Sequence, residues 1–367
     1  MSAGHSVTGS VYCSGRWVRG CVEYRDGIIS RVVGIDIAGD PEPPYIIPGF
    51  IDLHVHGGGG ADVMGGSSEL ATICEYHAIN GTVALCATTV TAPLADIGHA
   101  LTGAREYMDA PVPGAAEVLG VHLEGPFINP ARLGGQPPFA IPPQIGLLAK
   151  WKDLAPLRIV TLAPELPGAE AAIRWLADHN IRVQVGHSLA DNAVLEEARS
   201  WGMSGVAHLY NAGAPIVARD PGVAGWALAN AEWAELICDL KHVHPDLLKI
   251  AIQAIPNPYF ITDCCSAGGC PDGEYRLGAH TVVKSDGLVR LPDGQIAASV
   301  ITSIEAFRNI LHLTGSIDTA IAMMATRPAR YIGESGLGVI DAGYQASFIV
   351  LDQYLSVTTT YVRGVGS

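Results

Sequence analysis

No window of this 367-residue sequence approaches the run of about twenty apolar residues that a membrane-crossing helix needs. The opening "MSAGHSVTGSVYCSGRWV" has no apolar stretch long enough for a secretory signal. Charge is scarce too: Asp, Glu, Lys and Arg make up 16% of residues, and no long charged run occurs. With 49% of residues apolar, the composition is that of a chain with a sizeable core, not of a disordered one. The net charge is −14, and a basic stripe of the kind that nucleic acid requires is missing. An anionic small molecule remains compatible, because a few local cations suffice to hold a phosphate. The eight cysteines are scattered, and the cluster Cys264, Cys265 and Cys270 has neither CxxC nor zinc-finger spacing. Reduced thiols in a cytoplasmic protein, with neither membrane nor nucleic acid as partner, are the expectation.

What is present is an alternation. Residues 1–47 read as short β segments, with Asp26-Gly27 placed for a hairpin turn. From Pro48 onward, short apolar runs alternate with amphipathic segments such as "GAEAAIRWLADHN" and "DNAVLEEARSWG". Eight runs read as strands: Phe50–His56, Val83–Thr88, Val118–Glu124, Arg158–Ala163, Val183–His187, Gly205–His208, Leu236–Asp239 and Phe260–Asp263. Strands alternating with helices imply parallel pairing and right-handed crossovers. Eight such units imply an α/β fold of the (β/α)8 TIM-barrel type, with an open doubly wound sheet as the competitor. The chain exceeds the ~250 residues at which single cores stop growing. Its tail, "GLGVIDAGYQASFIVLDQYLSVTTTYVRG", is β-rich but too short for a core of its own. The expected division is a barrel over 48–335 and a small β-sandwich-like domain from both ends, 1–47 plus 336–367.

The polar residues of these runs gather at their C-terminal ends. The first ends in His54 and His56, which share a face because strand side chains alternate. The third ends in His122 and Glu124, the fifth in His187, the sixth in His208 and the eighth in Asp263. In a barrel all of these ends open on the catalytic face. One histidine at a strand end is ordinarily structural; so many on one rim suit a divalent metal with an open position. A carboxylate such as Asp263 can then shuttle a proton. The run Gly57–Gly60 is not a G-x-G-x-x-G loop leading directly into a helix, and reads instead as a flexible loop beside the metal.

The segments "PGFIDLHVHG", "GVHLEGPFINP", "VQVGHS", "HLYNA", "ARDPGVAG", "DLKHVHP", "FITD", "PDGEYRLG" and "GLGVIDAGYQASFIVLD" together resemble the amidohydrolase superfamily and, within it, the N-acetylglucosamine-6-phosphate deacetylases. The resemblance implies Glu124, His187 and His208 as the principal metal ligands. It implies His54 and His56 as a second half-site, giving one or two metals per subunit, zinc or iron, and Asp263 as the catalytic acid/base. Asn211, Ala212, Arg219 and His242 match substrate contacts, with Arg219 and His242 reaching the site of a neighbouring subunit in a homodimer. The implied reaction is removal of the acetyl group from an amino-sugar phosphate. Other substrates of the same chemistry stay open, such as N-acetylgalactosamine 6-phosphate or an unphosphorylated N-acyl compound, as does a non-catalytic sugar-binding relative.

The chain departs from that pattern around the substrate. Gln136 stands where the family has a histidine that polarises the acetyl carbonyl; glutamine donates a hydrogen bond but carries no proton. Leu240 and Lys241 replace the usual Gly-containing segment before His242. Ala298 and Ser299 replace a Gly-Ser pair at the expected substrate edge, and Cys264 and Cys265 follow Asp263.

Overall fold

The computed structural model describes residues 4–367. Eight strands run parallel in one sheet, neighbours in chain order: Phe50–Val55, Thr82–Thr89, Glu117–Glu124, Leu157–Leu162, Arg182–Val185, Gly205–Val206, Trp233–Ile237 and Asn257–Ile261. They are apolar runs because both faces are covered; every residue of Thr82–Thr89 is buried. Helices follow the strands, from Ser67–Ile79 after the first to Ser303–Thr314 after the eighth. Local sequence starts several of them. Asp191 caps Asn192–Trp201 by accepting from the Val194 amide at 2.9 Å, and Thr302 with Glu305 forms a capping box for the last.

The sheet closes where the eighth strand returns to the first. Val55 bridges Cys264 in parallel, the His56 amide donates to the Cys264 carbonyl at 2.9 Å, and the Asp263 amide donates to the His54 carbonyl at 3.0 Å. Just below, the buried Asp52 carboxylate accepts from the Thr262 amide at 3.2 Å and from its hydroxyl at 2.5 Å. Burial lifts the Asp52 carboxyl to about 7, despite the opposing hydrogen bonds from Thr262 and His54. The barrel seam therefore rests on a side-chain clamp as well as on backbone pairing.

Both chain ends meet in a second sheet of seven strands. His5–Cys13, Arg16–Arg25, Ile28–Asp36 and Tyr45–Pro48 join Phe348–Leu351, Val357–Val362 and Val365–Gly366. Asp26 and Gly27 have φ of 51° and 76°, the signature of the tight turn that their sequence suggests. A third sheet was not legible as such. Residues Gly273–Leu277, His280–Ser285, Leu288–Arg290 and Ile296–Ala298 form an antiparallel meander after the eighth strand. Its Asp286-Gly287 turn repeats the same geometry, at φ 53° and 68°.

The glycine run differs from the flexible loop expected of it. Gly57–Gly58 pairs with Ala61–Asp62, and the Gly59 amide donates to the Gly268 carbonyl at 2.8 Å. A Cβ on Gly57 would lie 2.4 Å from the Ala61 carbonyl oxygen, so close backbone approach is what requires the glycine. Beneath it His77 Nε2 donates to the Gly57 carbonyl at 3.0 Å, while the buried Nδ1 has no partner among the described residues. Burial lowers the His77 pKa to about 4, outweighing that hydrogen bond. The unfolded chain therefore takes up this proton first. Stability is full above the ordinary value of 6.5 and falls as pH drops toward 4, by about 3 kcal/mol in total. Denaturant melts of the protein and of His77→Gln between pH 7 and 4 should show a shallower acid slope in the variant. Parallel slopes would contradict this.

Candidate active site

The strands bring their polar ends to one mouth, in two ways. His54, His56 and Glu124 lie on or directly after straight strand, two-residue spacing keeping the histidines on one face. His187, His208 and Asp263 lie just past the last paired residue of their strands. Each adopts the left-handed region, with φ of 49°, 26° and 51°. Non-glycine residues there are uncommon and strained, and cluster where function holds them. This is also why the regular strands end before these residues.

Glu124 is the centre. Its Oε1 lies 3.0 Å from His187 Nε2 and 2.8 Å from His208 Nε2, and those two nitrogens are 3.1 Å apart. Its Oε2 lies 3.2 Å from His56 Nε2 and 3.5 Å from His54 Nε2. Asp263 Oδ1 sits 3.2 Å from His56 Nε2 and 3.6 Å from His54 Nε2. The side chains thus make two sets, Glu124 with His187 and His208, and His54 with His56 and Asp263. Ligands about 2.1 Å from a tetrahedral cation stand about 3.4 Å apart, close to these separations. Facing imidazole nitrogens at 3.1–3.2 Å need a proton or a cation between them. The donor sets therefore fit one divalent metal each, with Glu124 able to serve both.

A third grouping, His54 with His122 and Glu235, is different. His122 uses Nδ1 on the Leu53 carbonyl at 3.0 Å and Nε2 on the Thr161 hydroxyl at 2.8 Å. With both nitrogens engaged, it belongs to a hydrogen-bonded floor. The Cys264 thiol turns away to the Cys265 carbonyl, and burial keeps it protonated.

The charges are mutually dependent. Burial pushes the Glu124 carboxyl up, but His54, His187 and His208 outweigh it and hold the group well below the usual range. Burial pushes His56 down, yet hydrogen bonds to Asp263 and Glu124 raise it to about 9. Burial of Asp263 is likewise overcome by His56, His54 and His208, which keep it ionised. Protons and divalent cations therefore compete for the same nitrogens.

The remaining expected residues divide. Gln136 Oε1 accepts from the Thr91 amide at 2.6 Å, and its amide nitrogen donates to Glu124 Oε2. One of its two N–H groups is thus committed to a site carboxylate. Asn211, Ala212 and His242 join Gln136, Glu124, His56, His187, His208 and Asp263 around a cavity of about 100 Å³. His242 lines its own chain's cavity, where Asp239 Oδ2 holds its Nδ1 at 2.6 Å. Arg219 lies on an exposed loop outside that lining. Ala298 faces the core with Val282 and Val289, and by alternation Ala297 forms the wall instead. An adjoining cavity of about 470 Å³ shares Gly134, Gln136, Ala212 and Gln295 and is also lined by Arg132 and His280. A larger cavity of about 620 Å³ beside the glycine turn is lined by Asp62, Glu69, Asp96 and Glu274 and includes neither ligand set. Glu235 escaped the sequence reading, which began the seventh strand one residue later; a lone acid within "WAELIC" was the available signal.

Residues 45–365 match the family model of the amidohydrolase family. The chain belongs to that family. It is 37% identical over 350 residues to N-acetylgalactosamine-6-phosphate deacetylase from Escherichia coli O157:H7, covering 92% of each chain. It is also 37% identical over 335 residues to N-acetylglucosamine-6-phosphate deacetylase from Bacillus subtilis (strain 168), covering 88% of this chain and 85% of the relative. Among solved structures, a variant of N-acetyl-D-glucosamine-6-phosphate deacetylase from Mycobacterium smegmatis in complex with N-acetyl-D-glucosamine-6-phosphate superposes with TM-score 0.92. It is 29% identical and covers 100% of this chain and 99% of that one. Family and architecture thus match the barrel and the metal-suited rim.

Because Glu124 addresses both sets, Glu124→Gln should lower metal content in both, whereas His187→Asn should lower it in one. Elemental analysis after dialysis reads the difference; equal losses in the two variants would contradict a shared carboxylate.

Proposed function

We propose that the protein is a metal-dependent deacetylase that hydrolyses N-acetylglucosamine 6-phosphate to glucosamine 6-phosphate and acetate. The observation that carries this reading is the convergence of two ligand sets, one of them including Asp263, at the mouth of an amidohydrolase barrel. Glu124, His187 and His208 would hold the principal metal, and His54 and His56 with Asp263 a second. Zinc or iron suits these nitrogen and oxygen donors. Bound there, a divalent metal supplies a Lewis acid and lowers the pKa of water. Asp263 takes the proton as water attacks the acetyl carbonyl and returns it to the departing amine, so that the nitrogen leaves neutral. The free N–H of Gln136 supplies a neutral donor to the carbonyl oxygen as it gains charge.

The smaller cavity accepts the acetyl group, and the sugar extends past Gly134 and Gln136 into the adjoining one. Asn211, Ala212 and His242 then lie along the sugar phosphate. Arg219, exposed in one chain, fits the role of a phosphate clamp for the neighbouring subunit of a homodimer. We place the protein in the cytoplasm, and divide it into a catalytic barrel, 48–335, and a terminal β domain, 1–47 plus 336–367. No helix among the described residues is long and apolar enough to cross a membrane.

N-acetylgalactosamine 6-phosphate is the second reading, favoured by the likeness to the E. coli enzyme over 92% of both chains. Acetate release from the two 6-phosphates and from their unphosphorylated counterparts separates these readings by kcat/KM. Phosphate should raise kcat/KM, and Arg219→Ala should abolish most of that gain. Indifference to both phosphate and Arg219 would sink the sugar-phosphate assignment. Asp263→Asn should lower kcat by about 10²–10⁴-fold even when the site of Glu124, His187 and His208 is fully loaded with metal.

A further inference from the structure

Below the two ligand sets lies a buried polar layer that neither set uses. Glu235, on the seventh strand, is fully buried within the barrel. Its Oε2 accepts from His54 Nδ1 at 2.9 Å and from the backbone N–H of His208 at 3.1 Å. Its Oε1 accepts from the Tyr259 hydroxyl at 3.2 Å, and Gln184 Nε2 donates to that hydroxyl at 2.6 Å. Gln184 in turn accepts from the Thr161 hydroxyl at 3.3 Å, and Thr161 meets His122. The layer is thus a connected network with Glu235 at its upper edge.

Two consequences follow from the geometry. Both Glu235 oxygens already accept from fixed donors, the His208 amide and the Tyr259 hydroxyl, so the arrangement puts the proton of the His54 contact on His54 Nδ1. That leaves the Nε2 lone pair of His54 aimed at His56, Glu124 and Asp263. The second bond from the same oxygen fixes the amide of His208, the residue held at φ 26° where the chain swings its ring toward Glu124. His54 belongs to one ligand set and His208 to the other. We propose that Glu235 is a positioning residue that sets the tautomer of His54 and the backbone turn of His208, so that one carboxylate outside both ligand sets prepares a ligand for each. The inference rests on the metal-binding reading of those sets; it does not depend on which substrate is cleaved.

Glu235→Gln tests it with little change in size. The amide presents an NH2 group where one carboxylate oxygen stood, and His54 can then meet a donor. Its ring proton moves to Nε2, the nitrogen that should face the metal. In zinc-loaded protein labelled with ¹⁵N-histidine, the His54 signals, assigned by their loss in His54→Asn, should report a proton on Nδ1 and metal on Nε2. Glu235→Gln should shift the proton and weaken zinc affinity by about 10–100-fold in a chelator competition. A wild-type His54 protonated on Nε2, or bound through Nδ1, overturns the proposal, and so does a variant with wild-type zinc affinity. If the variant does not fold, the wild-type spectrum alone decides. Neither readout uses a sugar, so a protein without deacetylase activity would contradict the proposed function and leave this result standing.

Discussion

Glu124 ends the third barrel strand with its two carboxylate oxygens aimed at different histidine pairs, in a place where about 1% of its surface meets solvent. A carboxylate so deeply buried needs cationic neighbours, since desolvation otherwise drives it to the neutral form. Asp52, Glu235 and Asp263 are buried in the same barrel. Protonated imidazoles can supply part of the balancing charge, and divalent cations at the two donor sets can supply more. Much of the local structure answers that one requirement. His187, His208 and Asp263 take strained backbone conformations that point their side chains at the centre.

The molecule is arranged around this centre in levels. Below it, the network from Glu235 through Tyr259, Gln184 and Thr161 to His122 fills the barrel with polar groups that satisfy one another. At the centre lie the ligand sets. Above it, the loop carrying Gln136 and the meander carrying Gln295, Ile296 and Ala297 wall the cavity. The floor and the centre come from strand ends, whose positions the barrel hydrogen bonds fix. The wall comes from connecting segments and from the meander, whose positions the barrel's strand pairing does not fix.

The strand pattern was legible because parallel strands buried on both faces read as continuous apolar runs. The rim was legible because His54, His56, Glu124, His187, His208 and Asp263 interrupt those runs at corresponding ends. Glu235 was not, because it lies inside its strand and no rule of spacing separates a structural acid from a functional one. The meander of 273–298 was hidden by polar, half-exposed strands that bury little and so lack a strong period. The glycine run looked mobile because glycine permits mobility; the tertiary contacts of Tyr76, His77 and Ser266 decide otherwise. Motif matching gives no face for Ala298; strand alternation turns it to the core and Ala297 to the cavity.

The central claim is that cations at the Glu124 centre enable amide hydrolysis by Asp263. Acetate release from N-acetylglucosamine 6-phosphate, followed as the protein is stripped with chelator and then titrated with zinc or iron(II), tests it directly. The account predicts that activity falls to background on stripping and returns in proportion to metal taken up, saturating at one or two equivalents per chain. Full activity in metal-free protein would contradict it.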